Sequence, residues 1–418
     1  MTQLLPRLQA ESSEAVVVSA AAAPGGRLDA IDLLRGLVMV IMALDHVKGN
    51  FSNAHFDATD LTQTNPAYFL TRWITHFCAP TFVFLAGTGA FLYGSRGKTR
   101  SQLAWFLFSR GLWLVLLELT VIRFAWFLNI NYGYSFGQVI WAIGWSMVVM
   151  AGLVFLPTSA VTLAGIAMIL FHNLFDGVRA ADWGRLDWLW RILHTGEQFE
   201  LFQGKVFHPF YPLIPWIGVM AAGYGFGAFM LMEPRRRRRE VLGLGLALTL
   251  LFMALRFSNL YGDRVIDRLS YPGHPGPWSV QDTWWKTMFS FVNCQKYPPS
   301  LCFLLMTLGP AITALALFDR QPGPLGRILV TFGRVPLFFY LVHWYVIKGL
   351  AILLAYLRYG RADWLYGNTD GVTAPSDNGY DLWVVYLIWL GVVALLYPAC
   401  HWFAGVKKRS RSPLLSYL

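Results

Sequence analysis

The chain has 418 residues, of which 56% are hydrophobic and 14% charged, and its formal net charge is +11. Soluble proteins carry about a quarter charged residues. This composition, with a mean hydropathy of +0.46, therefore excludes an ordinary soluble domain and indicates a polytopic membrane protein. Much of the positive charge lies in short loops and no nucleic-acid-binding motif accompanies it, so we expect a lipid bilayer and no nucleic acid as its partner.

Residues 1–26 precede the first long apolar segment and include a short run rich in alanine and valine. Glu11 and Glu14 stand where a signal peptide would carry positive charge, so we predict a disordered cytoplasmic tail. At the other end, residues 406–418 are predicted to form a basic cytoplasmic tail.

Between these tails the chain contains ten apolar segments, each with about the 20 residues needed to cross a bilayer. Only helices and closed barrels satisfy their backbone hydrogen bonds in lipid, so we predict that residues 27–405 form an all-α polytopic transmembrane helical bundle. The predicted spans are roughly 31–50, 67–93, 102–127, 136–156, 158–175, 211–232, 240–258, 299–318, 328–356 and 382–404.

Clusters of lysine and arginine in the short loops set the predicted orientation. RGKTR at 96–100, RRRRR at 235–239 and KKRSR at 407–411 fall on one side, which the positive-inside rule identifies as the cytoplasm. Both termini are then cytoplasmic, and the longer connections face outward. In the outer connection 176–210, tryptophans recur at near-helical spacing, which predicts a helix lying in the membrane interface.

The first span carries charges that a membrane does not readily accept: Asp32, Arg35, Asp45 and His46. Arg35 and His46 are eleven positions apart, which places them on one helix face at a separation of about 16 Å. Charged groups at membrane depth normally face the protein interior or a water-filled cavity. We therefore expect both to line one internal tunnel. The structural alternative is an ion pair between Asp32 and Arg35 with a buried, hydrogen-bonded histidine.

Further polar residues lie in or beside other spans. Arginine binds phosphate bidentately, and histidine suits proton transfer near neutral pH, so arginines near the inner ends and histidines further out suit an enzyme working across the bilayer. For Arg110 and Glu118 a structural salt bridge between helices, and for His343 a core hydrogen bond, remain structural alternatives. The candidates are Arg35, Arg110 and Arg334 near the inner face, and His46, His55, His76, His208, Tyr297 and His343 elsewhere.

Five segments carry a resemblance to a known family. The chain resembles transmembrane acyltransferases, in particular the bacterial relatives of the heparan-alpha-glucosaminide N-acetyltransferase catalytic domain. That superfamily has a basic residue, ten further residues and a histidine in its first span, which correspond here to Arg35 and His46. The segments are RLDAIDLLRGLVMVIMALDH (27–46), FCAPTFVFLAGTGAFL (77–92), FHPFYPLIPWIGVMAAGYGFG (207–227), KYPPSLCFLLMTLGP (296–310) and FGRVPLFFYLVHW (332–344).

The resemblance implies a multi-pass protein of the bacterial inner membrane that takes acetyl-CoA from the cytoplasm. It also implies a hydroxyl or amine acceptor, on a sugar or glycan, at the outer face. His46 is the catalytic position it implies. The lysosomal members carry a histidine somewhat later in the chain, near His55, so His55 is the second candidate. A homodimer is left open as a further partner.

In the mechanism we predict, Arg35, Arg110 or Arg334 holds the phosphates of CoA, and His46, polarised by Asp45 or Asp32, deprotonates the acceptor. His76, His208, Tyr297 and His343 are predicted to contact the acceptor. A covalent acyl-histidine intermediate is the alternative route. Attack on a thioester needs no metal, and we predict none.

A transporter without chemistry of its own is the competing function, since intramembrane charges and a titrating histidine occur there as well. Transporters commonly have related halves. Here the charged first span has no counterpart near the sixth, since 213–232 contains no Arg, Lys, Asp or His. This asymmetry favours an enzyme.

Overall fold

The computed structural model describes residues 29–263, 276–367 and 372–410, together with Ser412 and Leu415, so the tail predicted for 1–26 lies outside the described residues. The described chain is built around helices, which confirms the predicted all-α bundle. They are α1 (Asp29–Phe51), α2 (Pro66–Thr75), α3 (Cys78–Gly94), α4 (Arg100–Leu117), α5 (Arg123–Phe127), α6 (Val139–Leu153), α7 (Thr158–Phe171), α8 (Asp187–Trp190), α9 (Leu213–Phe226), α10 (Pro234–Ser258), α11 (Trp284–Val292), α12 (Leu301–Phe318), α13 (Pro324–Arg334), α14 (Pro336–Tyr359) and α15 (Leu382–Arg409).

Shorter helical segments and three strands complete the fold. The 3₁₀ segments are His172–Phe175, Ala180–Leu186, Gly227–Leu231 and Asp363–Leu365, and the π-helical ones are Glu118–Ile122 and Arg191–Thr195. The strands are β1 (Tyr134–Phe136), β2 (Phe199–Phe202) and β3 (Lys205–His208).

Eight described helical stretches are long and apolar enough to cross a membrane, judged by length and composition. Helix α1 is not among them because it carries too many charged residues, and α6, with 15 residues, is short. The count of ten spans and the cytoplasmic termini therefore stay predictions. The eight stretches are Pro66–Gly94, Arg100–Phe127, Thr158–Phe175, Leu213–Leu231, Pro234–Ser258, Leu301–Phe318, Pro336–Tyr359 and Leu382–Arg409.

Helix α1 is the centre of the bundle and packs against α2, α3, α12, α13, α14 and α15. Its closest approach is to α13, where two glycines remove the side chains that would separate the backbones. A Cβ atom on Gly36 would lie 1.8 Å from the Leu329 carbonyl oxygen, and one on Gly333 would lie 1.8 Å from that of Asp32. The two helices are therefore in backbone contact, which fixes the position of α1.

The helices do not coincide with the predicted spans at every boundary. The span expected at 328–356 is two helices, because Pro336 lacks an N–H and disfavours helical geometry in the residue before it; Val335 has φ −132° and ψ 50°. The span expected at 240–258 begins at Pro234, because the Glu233 side chain accepts hydrogen bonds from the backbone N–H groups of Arg235 and Arg236. The arginine run is thus helical.

The predicted outer connections contain more structure than we expected. Strands β2 and β3 form an antiparallel hairpin, and β1 pairs in parallel with β3. Gln203 and Gly204, at φ 49° and 74°, make the turn, since both central positions of such a turn need positive φ. The single interfacial helix predicted in 176–210 is instead several short helical segments, with Trp190 buried rather than facing a membrane surface.

Candidate active site

A cavity of about 460 Å³ lies against the predicted outer half of α1. Its lining mixes aromatic, cationic and hydroxyl-bearing side chains, as ligand sites with convergent polar groups do. We call it the α1 cavity. It is lined by Met42, Asp45, His46, Lys48, Gly49 and Asn50 of α1, Arg72, Thr75, Cys78, Ala79 and Phe82 of α2 and α3, Trp126, Gln138, Val139, Tyr211, Lys296 and Tyr297, and Tyr340, Trp344 and Lys348 of α14.

The His46 side chain pairs with a second histidine behind it. His46 Nδ1 lies 2.6 Å from His343 Nε2, and His343 Nδ1 lies 2.5 Å and 3.1 Å from the carbonyl oxygens of Tyr340 and Phe339. Because carbonyl oxygens only accept, we assign the proton of neutral His343 to Nδ1. His343 Nε2 is then an acceptor, His46 Nδ1 donates to it, and His46 Nε2 is the unprotonated nitrogen. His46 is thus arranged as a base.

The His46 ring is also held by packing. It stacks on Trp344, with ring centroids 4.2 Å apart, and the Asn50 side chain donates to the His46 carbonyl oxygen at 2.8 Å. His343 is fully buried and does not line the α1 cavity. We predicted that His343 contacts the acceptor; the structure instead places it behind His46, within hydrogen-bond distance of the His46 ring.

Asp45 lines the cavity beside His46, but its carboxylate hydrogen-bonds to Arg72 and not to the His46 ring. Arg72 donates to both Asp45 carboxylate oxygens, at 2.8 Å and 2.6 Å. Asp32, the other predicted partner of His46, lies 3.4 Å from Arg35 and 3.9 Å from Arg334 at the far end of α1. The reason is helix geometry, since adjacent residues such as Asp45 and His46 point about a quarter turn apart. It is His343, and not Asp45 or Asp32, that lies within hydrogen-bond distance of the His46 ring.

The α1 cavity has a cationic lining. Lys48, Lys296 and Lys348 contribute ammonium groups in addition to the paired Arg72, while Asp45 is the one carboxylate of the lining. Lys296 and Lys348 are largely buried, each 9% exposed. Such a lining favours a ligand that is anionic or develops negative charge during reaction.

Tyr297 lies in this cavity, as its predicted acceptor role requires. The Lys296 ammonium lies 5.1 Å from the centre of the Tyr297 ring, and Tyr211 packs edge-on against it with centroids 5.5 Å apart. Burial opposes ionisation of the phenol, but the charges of Lys296 and Arg72 and the hydrogen bond with Tyr211 together hold the pKa of Tyr297 below its ordinary value. The phenol is therefore a strong hydrogen-bond donor.

Three other predicted histidines do not line the α1 cavity. His55 is exposed in the connection after α1. His76 is buried against Phe303, with ring centroids 5.5 Å apart. His208 ends β3, where its Nδ1 lies 3.0 Å from the Tyr134 hydroxyl, and burial lowers its pKa.

The three predicted phosphate-binding arginines lie away from the α1 cavity. Arg35 is bound to Asp32 and donates to the Gly333 carbonyl oxygen, while Arg334 is exposed and pairs with Asp29. Arg110 lies on α4, over the Phe106 ring. The single tunnel expected to contain both Arg35 and His46 is not what the cavity shows, because its lining on α1 begins at Met42 and buried Met39 occupies the interval. The ion pair of Asp32 with Arg35, which was the structural alternative to the tunnel, is present.

Sequence reasoning missed several residues of the site. Arg72 was overlooked although Asp45 was a carboxylate in need of a cation, which was the available signal. Lys48 and Lys348 carried a similar signal, as lysines inside predicted spans. Glu118, which the sequence did single out, does not line the cavity; it is fully buried, and its Oε1 accepts from the Gln138 backbone N–H.

The fold and the cavity together place the chain in the class of polytopic helical membrane proteins with an internal, cation-lined site. More particularly, the chain belongs to the family of the heparan-alpha-glucosaminide N-acetyltransferase catalytic domain, whose family model matches residues 27–256, more than half of the chain. The match contains Asp45, His46 and Arg72. Comparison with curated proteins finds no match. Family membership indicates a multi-pass membrane acyltransferase and gives the transporter alternative no support.

Proposed function

We propose that the protein transfers an acetyl group from acetyl-CoA to a hydroxyl or amine of a sugar or glycan acceptor. The observation that carries the proposal is the His46–His343 pair, which leaves His46 with an unprotonated nitrogen at the wall of a cationic cavity. Membership of an N-acetyltransferase family supports the choice of acyl group and acceptor class.

The reaction we propose is a direct transfer. His46 takes the proton from the acceptor O–H or N–H as that atom attacks the thioester carbonyl carbon. The negative charge on the carbonyl oxygen is stabilised by the cationic lining, for which Lys296 and Lys348 are the candidates. The C–S bond then breaks, the acetyl group stays on the acceptor, and the proton on His46 passes to the CoA thiolate.

The two substrates are proposed to enter from opposite sides. CoA comes from the cytoplasm, in the bacterial inner membrane, and its phosphates contact Arg35 and Arg334 at the α1–α13 end. Arg35 and Arg334 lie close together, because the Asp32 carboxylate is 3.4 Å from the first and 3.9 Å from the second. Arg334 is also exposed, so a phosphate group can reach it. A thioester reaching His46 needs an opening past Met39, so this route predicts a movement of α14 relative to α1.

The proposed function is tested with purified protein in detergent, ¹⁴C-acetyl-CoA and a panel of hydroxyl- and amine-bearing sugars. We expect transfer of label to at least one acceptor, and stabilisation of the protein by CoA at concentrations where adenosine 3′,5′-bisphosphate alone has less effect. Absence of both transfer and CoA-dependent stabilisation contradicts the proposal.

A second experiment separates direct transfer from the acyl-histidine route. The protein is incubated with ¹⁴C-acetyl-CoA without acceptor, quenched and assayed for protein-bound label. Direct transfer predicts no label on the protein and no release of CoA before the acceptor is added. Stoichiometric label that is lost in His46→Ala instead establishes the covalent route.

A further inference from the structure

Three potential metal ligands meet beyond the end of α7, outside the α1 cavity. His172 begins the 3₁₀ segment His172–Phe175, Asp176 follows four residues later, and His194 lies in the π-helical segment Arg191–Thr195. One ligand atom from each residue lies within 4.8 Å of the others. The cluster therefore joins the end of a predicted span to the connection 176–210.

Five of the six polar side-chain atoms of this cluster lack hydrogen-bond partners among the described residues. His172 and His194 are 2% and 1% exposed, yet neither ring nitrogen of either residue makes a hydrogen bond there. Asp176 Oδ1 makes none either, although it lies 3.2 Å from His194 Nε2. Buried polar groups normally have partners, so three residues that each bring an unsatisfied ligand atom within 4.8 Å of the others indicate a missing ligand.

Surrounding residues hold Asp176 and His194 in place. Asn173 donates from Nδ2 to Asp176 Oδ2 at 3.0 Å, which leaves Oδ1 directed to the histidines, and Asn173 Oδ1 accepts from the Leu301 backbone N–H. Trp190 covers His194, with ring centroids 4.9 Å apart. Outer partners of this kind orient the ligands of metal sites.

The ligand chemistry selects the kind of ion. Two imidazoles and one carboxylate suit a divalent transition ion and disfavour Mg²⁺ and Ca²⁺, which take oxygen ligands. In a tetrahedral zinc site with bonds of about 2.1 Å, ligand atoms lie about 3.4 Å apart. The His194–Asp176 distance of 3.2 Å already fits, and the other separations, which are at most 4.8 Å, close to this value through side-chain rotation.

We propose that His172, Asp176 and His194 bind one Zn²⁺ ion, with water in the fourth position. The ion fastens the end of α7 to the segment that leads through Gly196 to the β2–β3 hairpin and Tyr211, a residue of the α1 cavity. Asp176, whose side chain is 19% exposed, provides the solvent access by which the ion enters. The site takes no part in the proposed acyl transfer and does not depend on it.

The test measures metal in the full-length protein, purified through a streptavidin-binding tag because a polyhistidine tag carries metal itself. We expect about one zinc per chain by plasma mass spectrometry. Treatment with EDTA should remove the zinc, lower the melting temperature and expose 176–210 to protease, and added Zn²⁺ should restore all three. Reconstitution with Co²⁺ should give the visible absorption of a four-coordinate site.

Variants separate the metal site from a plain ion pair. His172→Ala keeps the Asp176–His194 pair but should lose zinc and the EDTA response, as should Asp176→Asn, while His401→Ala on the exposed face of α15 should keep both. Wild-type protein that binds no zinc at micromolar concentration, or His172→Ala protein that keeps it, overturns the proposal. Iron in place of zinc overturns the choice of ion. If a variant fails to fold, the zinc content of the wild-type protein still tests the proposal.

Discussion

Arg72 of α2 donates hydrogen bonds to both carboxylate oxygens of Asp45 of α1, at 2.8 Å and 2.6 Å. Each side chain is about a quarter exposed, so the pair borders the α1 cavity instead of lying in sealed protein. A bidentate arginine–carboxylate pair is among the stronger ion pairs in proteins because two parallel hydrogen bonds fix its geometry. It holds α2 against α1 beside His46.

Removing one partner of this pair should destabilise the fold more than removing both. Arg72→Met leaves Asp45 without its cation, and we expect the free energy of unfolding to fall by about 3 kcal/mol. This is the lower end of the range for buried ion pairs, because water reaches this pair. The double variant Arg72→Met, Asp45→Asn should recover part of that loss. Reversible unfolding in detergent measures the three proteins. Equal losses in the single and double variants would contradict the pairing.

His343 should affect turnover more than binding. His343→Ala removes the acceptor that fixes the His46 tautomer, so we expect kcat to fall by about 10²-fold with little change in KM for either substrate. His343→Gln, whose side-chain oxygen can accept from His46 Nδ1, should recover part of kcat. Steady-state kinetics with His401→Ala as the control provide the measurement. A large rise in KM with kcat unchanged would show that His343 contacts substrate.

Tyr297 should set the alkaline limit of activity. Its phenol can donate to substrate only while protonated, and its pKa lies below the ordinary value because Lys296, Arg72 and Tyr211 outweigh the effect of burial. Activity of the wild type should therefore fall as pH rises through that depressed pKa. Tyr297→Phe should lose several-fold in kcat/KM at neutral pH and lack the alkaline decline. An unchanged pH–rate profile in Tyr297→Phe argues against the role.

The backbone contact between α1 and α13 predicts opposite effects of two glycine substitutions. Gly333→Ala places a Cβ 1.8 Å from the Asp32 carbonyl oxygen, so the helices must separate, and we expect a loss of about 1–3 kcal/mol. Gly349→Ala on α14 meets nothing within 4 Å and should stabilise by about 0.5–1 kcal/mol through helix propensity. Thermal unfolding of both variants checks this. Equal effects would mean that α1 and α13 are not in contact.

The fold class and the central helix could be predicted from sequence because both depend on local properties. Apolar length and charge pattern indicated the bundle, and α1 spans Asp29–Phe51 where 31–50 was predicted. The signals for the β2–β3 hairpin and for the break before Pro336 were also local, but neither feature was predicted. Gln203 and Gly204 form the turn of the hairpin, and Pro336 after Val335 explains the break between α13 and α14.

The arrangement of the site could not be predicted in the same way, because it depends on residues that meet across the bundle. His46 and His343 are 297 positions apart, and Arg72 reaches Asp45 over 27. Spacing along α1 predicted that Arg35 and His46 share a face, but it could not show that Met39 is buried between them. The cluster of His172, Asp176 and His194 could not be predicted either, because the folding of the connection 176–210 brings His194 to the other two residues.

Acetyl transfer by His46→Ala, measured with ¹⁴C-acetyl-CoA and an acceptor that the wild type uses, tests the central claim most directly, with His55→Ala as the matched histidine control. The account predicts that folded His46→Ala loses at least about 10²-fold in kcat, while His55→Ala, altered at an exposed residue, keeps nearly full activity. Full activity in His46→Ala, with loss in His55→Ala, would contradict it and assign the base to the outer connection.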